Sequence, residues 1–101
     1  MEARLRAAGF VATSWSNQAG DTYGAHSHGY DKVLVAVRGS ITFHLVDMEL
    51  DVLLNAGERL DLPAGTAHAA TVGAAGVTCL EAHLAQGSLI GPPLHRAARD
   101  W

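Results

Sequence analysis

The chain has 101 residues, 49% hydrophobic and 17% charged, with a net charge of −3 when histidines are neutral; this predicts one domain that folds by burying a core and excludes a disordered or solvating segment. Its seven basic residues are scattered, so no stripe exists to neutralise a phosphate backbone, and no nucleic acid partner is expected. No apolar run approaches the roughly 20 residues of a membrane span, the first ten residues lack an apolar signal core, and the single cysteine cannot pair internally, so a cytoplasmic location with no membrane partner is expected.

In chain order, Glu2 to Ala8 reads as a short helix anchored by Leu5, with Gly9 placed for a left-handed C-terminal cap. From Phe10 onward the 3.6-residue period disappears. Short apolar or alternating runs punctuated by Gly, Asn, Asp and Pro replace it, and they predict strands at Val11–Ser14, Thr22–His28, Lys32–Val37, Ser40–Val46, Leu50–Leu54, Arg59–Leu62, Ala67–Val72 and Val77–Leu84. Turns are expected at Arg38-Gly39, as a hairpin, at Asp47-Met48-Glu49, and at Gly73–Gly76. Eight short strands in this length predict an all-β fold of two packed sheets or a closed jelly roll. The chain therefore divides into an N-terminal helical segment, 1–9, a β-barrel, 10–84, and a C-terminal tail, 85–101, where glycines and Pro92-Pro93 stop the last strand. The tail is expected to pack over the barrel or a neighbouring subunit.

Two segments carry chemistry. In His26-Ser27-His28 the imidazoles stand two residues apart, so on a strand they share a face, which suits one metal ion; alone, such a pair is also a common surface feature. In the run from Gly57 to His68, Pro63 and Gly65 force a tight turn that fixes where His68 points.

Together these segments resemble the two motifs of the cupin superfamily. The first motif is matched at His26, His28 and the closing Gly39, and the second at Gly57, Pro63, Gly65 and His68 with every interval kept. The resemblance implies a double-stranded β-helix, a jelly-roll barrel of the type seen in small single-domain cupins, here with a short N-terminal helix. It also implies that His26, His28 and His68 fill three of four ligand positions for divalent iron, nickel, zinc or manganese. Three positions depart from the pattern. The opening glycine is displaced, Val72 stands for an asparagine, and Lys32, the only lysine beside six arginines, stands for the glutamate that completes the ligand set. Three imidazoles still suit a transition metal and leave positions open, but an ammonium beside a dication adds repulsion unless it is neutral or turned aside.

Other residues carry alternatives. Lys32 is a candidate pocket and catalytic residue that binds or deprotonates an acidic substrate, or else a structural ion pair with Asp61 or Glu81. Tyr23 and Tyr30 flank the histidine pair and are candidates for the pocket mouth or for core packing. His83 shares a face with Glu81 and Cys79, as a pocket wall or a structural hydrogen-bonding group. His44 falls out of phase with the apolar residues around it and is expected at the surface; His95 has no assigned role. Asp31 is in phase away from the histidines, and Cys79 reads as a buried strand residue. The expected function is a metal-dependent cupin enzyme, of oxygenase or isomerase type, acting on a small molecule in the barrel. The alternatives are a non-catalytic small-ligand binding or sensor cupin without metal, and a storage protein with a vestigial pocket. A homodimer is expected, because open sheet edges and the apolar stretch Leu89–Leu94 lack a partner within one chain.

Overall fold

In the computed structural model, which describes residues 1–101, one helix precedes seven strands. These are α1 (Glu2–Ala7), β1 (Thr13–Asn17), β2 (Thr22–His26), β3 (Asp31–Leu45), β4 (Leu50–Asn55), β5 (Arg59–Leu62), β6 (His68–Leu84) and β7 (Leu94–Arg96). The helix stops where Gly9 turns left-handed at φ 88°: the Gly9 N–H reaches the Arg6 carbonyl at 3.0 Å and that of Phe10 reaches the Leu5 carbonyl at 2.9 Å. Both carbonyls would otherwise be left without partners. No helix is long and apolar enough to cross a membrane.

Two of the expected turns are corrected. Arg38-Gly39 is not a hairpin and Gly73–Gly76 is not a turn; each lies inside a long strand, β3 and β6. These two strands run antiparallel along their whole length, from Asp31 opposite Leu84 to Leu45 opposite His68, and their register slips on both sides of Gly39. Gly39 has φ 71°, and a Cβ there would lie 1.9 Å from the Gly76 carbonyl oxygen. Only glycine allows the two backbones to approach this closely. The glycines that mimic turns in the sequence therefore mark a bulge where both strands bend.

The bend folds one sheet over on itself. Its first half runs β1, β6 (77–84), β3 (31–38), β5 and β7, and its second runs β2, β6 (68–72), β3 (41–45) and β4. The result is an open jelly roll whose sheet does not close. Between the halves lies a core of 13 buried residues, among them Leu34, Ile41, Phe43, Leu54, Leu60, Val72 and Cys79. A second cluster, formed by Leu5, Val33, Val35, Leu80 and Ala82, sits on the outer face of the first half beneath Phe10, Leu89 and Trp101. Strand β3 is thus covered on both faces between residues 31 and 36, which is why that segment reads as a continuous apolar run instead of alternating.

The tail supplies part of this cover. Its strand β7 pairs with β5, and the Trp101 indole N–H donates to the Gly57 carbonyl at 2.9 Å. The Arg4 guanidinium lies 4.0 Å from the centre of the Trp101 ring, which joins the helix to the tail. Asp61, paired with Arg59 at 2.6 Å and with Arg96 at 3.4 Å, belongs to this outer layer. The apolar stretch of the tail is divided: Leu89 turns inward, whereas Ile90 is 97% exposed.

Asp31 ties the tail and the turn after β5 to the start of β3. Its side chain is 1% exposed, and its two oxygens accept the Ala64 N–H and the Leu89 N–H, each at 2.7 Å. The hydrogen bonds from Leu89 and Ala64 hold the Asp31 carboxyl below its ordinary value of 3.8, against the opposing effect of burial. A carboxyl lowered by folding stabilises the fold above its unfolded pKa and loses that contribution as pH falls through the folded value. We predict that Asp31→Asn lowers the urea midpoint at pH 7, and that the variant loses less stability than wild type between pH 5 and about pH 3. Parallel stability curves for the two proteins across that range would contradict this.

Candidate metal centre

The second half of the sheet brings the three histidines together. His26 closes β2 directly opposite His68, the first residue of β6, and a register slip between Tyr23 and His26 interrupts the alternation of β2. Tyr23 and His26 are three apart, so on a regular strand they would face opposite ways; the slip lets both line one cavity. His28 lies two residues beyond the strand, and its ring centre stands 4.8 Å from that of His26 and 5.5 Å from that of His68. The rings of His26 and His68 are 4.5 Å apart. What positions His28 is the turn Pro63–Thr66, whose Gly65 N–H donates to the His28 carbonyl at 2.8 Å.

Tautomers follow from the hydrogen bonds. The Nδ1–H of His26 donates to the Gly24 carbonyl at 2.7 Å, and the Nδ1–H of His68 donates to the Thr66 carbonyl at 2.8 Å. A carbonyl only accepts, so each Nδ1 carries the proton and each Nε2 presents a lone pair. This is the arrangement by which metal-binding histidines are oriented. The Nε2 of His28 is buried and has no hydrogen-bond partner, a cost of about 1–3 kcal/mol when nothing satisfies it. One ligand nitrogen from each ring lies within 4.8 Å of the others. An ion about 2.1 Å from each nitrogen needs pairs no wider than about 4.2 Å, so the widest pair has to close by at most roughly 0.6 Å. The donor set fits a divalent transition metal.

Electrostatics favour neutral rings at His28 and His68. Burial lowers the pKa of His68 and of His28, and the Lys32 ammonium adds to the effect on both. Neutral imidazole is the form that binds metal. Cys79, fully buried beneath the pocket, has its thiol pushed up to about 12 by burial, which makes it an inert core residue.

The histidines form one wall of a cavity of about 250 Å³. Trp15, Leu34, Ile41, Phe43 and Ala70 supply an apolar floor, and Tyr23, Tyr30, Lys32 and Glu81 supply the remaining polar groups. Lys32 pairs with Glu81 at 3.2 Å, not with Asp61, and both side chains are largely buried. Burial pushes the Glu81 carboxyl up, but the hydrogen bond from His83 and the Lys32 ammonium outweigh it and hold the carboxyl below its usual range. Glu81 therefore neutralises the lysine inside the pocket. The sequence contained a signal for it: on a regular strand Cys79, Glu81 and His83 share a face.

The other candidates separate. Tyr23 lines the cavity with its hydroxyl on Asn17, and burial raises its pKa. Tyr30 lines it as well, stacked against His28. His83 stands outside the cavity at its rim, donating to Glu81 and stacked on Tyr30. His44 lies away from the pocket between Asp51 and Thr71, and His95 contacts Glu58. Asp31 and Asp61 face away from the histidines.

No family model matches the sequence, and no curated protein matches it. Solved structures do share the fold. A cupin superfamily protein from Desulfitobacterium hafniense superposes with a TM-score of 0.66 at 17% identity over 74% of this chain, and a cupin-2 domain protein from Shewanella frigidimarina with 0.60 at 18% identity over 70%. The matched part spans 66% of each of those chains, about two thirds of their length. A Neisseria meningitidis protein is 27% identical over 76% of this chain and 75% of its own, with a TM-score of 0.63. The bent pair β3 and β6, the two halves of sheet folded around one core, and this shared architecture give the chain the fold of small cupins.

Proposed function

We propose that this protein is a metal-binding cupin that holds a small organic molecule in its pocket, with one divalent ion of iron, nickel, zinc or manganese on His26, His28 and His68. The observation that carries the reading is the buried, partnerless Nε2 of His28 beside two histidines whose Nε2 lone pairs are already freed by carbonyls on Nδ1. A bound ion supplies Lewis-acid polarisation of a substrate oxygen. The chain's own residues do the rest. The apolar floor excludes water and packs the body of the molecule, and Lys32, which uses one donor on Glu81, directs its remaining N–H groups at an acceptor such as a carboxylate or enolate. In the enzymatic form of this reading, a reaction of oxygenase or isomerase type, the Lys32 ammonium is the group that binds the anionic substrate.

The Lys32–Glu81 pair also supports a second reading, a non-catalytic ligand-binding or sensor barrel without metal. The pair is neutral as a unit, so the pocket has no net charge unless an ion adds it. Metal content separates the two. On the first reading, protein incubated with zinc, nickel or ferrous salts and then desalted retains close to one ion per chain. His68→Ala loses most of it, because the second-best site has two imidazoles in place of three. Elemental analysis that finds no ion above background in wild type would refute the metal reading and leave the second.

We also propose a homodimer. Strand β4 is an open edge, and Leu50 and Leu53 on it, with Val46 and Met48 just before it, are each 46–50% exposed. An unpaired edge carrying apolar side chains is a surface that pairing with a second copy covers. Light scattering at micromolar concentration is expected to give twice the 10.6 kDa chain mass. The single-chain mass would overturn this proposal.

A further inference from the structure

Two of the three histidines are oriented by hydrogen bonds from Nδ1 to backbone carbonyls, and His28 is not. Its ring has no hydrogen bond to another group of the protein, and its Nε2 is buried without a partner. Its ring is instead stacked on Tyr30, with centres 4.9 Å apart and planes 29° from parallel. The other face of Tyr30 stacks on His83 at 4.3 Å and the same 29°. The outer member of this column is in turn fastened: His83 donates from Nε2 to one oxygen of Glu81, and the second oxygen of Glu81 is held by Lys32 at 3.2 Å. Register places the anchor and the column together, since Lys32 lies directly opposite His83 across the β3–β6 pair.

We infer that Tyr30 and His83, fastened by Glu81 and Lys32, are positioning residues that set the ring plane of His28 and so aim its Nε2 at the metal. The inference rests on the metal-binding reading above. A histidine without a hydrogen bond on Nδ1 is free to rotate about its side-chain bonds, and each rotation turns the ligand nitrogen away from the other two. Two aromatic faces in series remove that freedom, because offset stacking fixes both ring spacing and ring tilt. The column also gives Lys32 a purpose at the position where the family pattern has a ligating glutamate. The ammonium gives up ligation and instead clamps the carboxylate on which the stack stands. Tyr30 acts through its ring; its hydroxyl takes no part.

The test measures zinc affinity by competition with a chelator, together with the visible absorption of the cobalt-loaded protein, which reports the number and geometry of its ligands. Tyr30→Phe keeps the ring and is expected to match wild type in both. Tyr30→Leu keeps apolar volume without a flat face, and His83→Ala removes the outer support; both are expected to bind zinc about tenfold more weakly, with an altered cobalt spectrum and little change in the melting temperature of the metal-free protein. Wild-type affinity in Tyr30→Leu or in His83→Ala would overturn the column. If Tyr30→Leu fails to fold, His83→Ala decides alone, because that side chain is half exposed and carries no core packing. If Tyr30→Phe weakens binding as much as Tyr30→Leu, the hydroxyl is the working group and the stacking argument is wrong. Failure of wild type itself to bind zinc or cobalt would instead refute the metal-binding reading, and the column with it.

Discussion

The hydrogen bonds made by the turn after β5 join the two halves of the site. The Gly65 N–H holds the His28 carbonyl, the Ala64 N–H holds the Asp31 carboxylate, and the Thr66 carbonyl receives the Nδ1–H of His68. The first two contacts bridge segments more than 30 residues apart in sequence, the third aims a side chain two residues further on, and in each of them a main-chain group of the turn is the donor or the acceptor. Pro63 limits the turn's backbone freedom before folding, so less ordering entropy opposes the contacts. Without the turn, His28, which lies beyond the end of β2, would lose its main-chain bond to the segment that leads into His68. With it, the three imidazoles are placed before any ion arrives, which lowers the ordering cost of binding.

The turn keeps its place because the sheet half on which it is mounted is covered on both faces. The inner core and the layer built from α1, Phe10, Leu89 and Trp101 enclose β3, and Asp31 fastens the tail to the same point where it fastens the turn. Stability and site geometry therefore share residues. The opposite half of the sheet, with β4 at its edge, is thinner and bears the exposed apolar side chains. Within the pocket, charge is handled locally: Lys32 and Glu81 neutralise each other, and burial lowers the pKa values of His28 and His68.

Much of the site was legible because it depends on short-range chemistry. The Pro63, Gly65 and His68 spacing encodes a turn whose geometry is local, and the His26, His28 pair needs only one stretch of chain. Strand positions were legible within a few residues for the same reason. What failed was the distinction between a turn and a bulge at Gly39 and Gly73–Gly76: both break an alternating pattern with glycine, and only the pairing partner tells them apart. Glu81 was visible as a neighbour of His83 in phase, but its pairing with Lys32 depends on the register between strands almost 50 residues apart. The stacking of His28, Tyr30 and His83 is likewise a tertiary fact. No period in the sequence encodes it.

The turn holds the ligand loop in place without help from a metal. The most direct measurement is native-state hydrogen exchange of the Gly65 amide in metal-free protein, followed by NMR beside the amides of Val33 and Val35 in the buried part of β3. If the bond to the His28 carbonyl is part of the folded framework, Gly65 exchanges only in openings close to global unfolding, at rates approaching those of the two valines. Exchange at the rate of an open loop, with protection gained only on adding zinc, would show that the ion and not the turn organises the site.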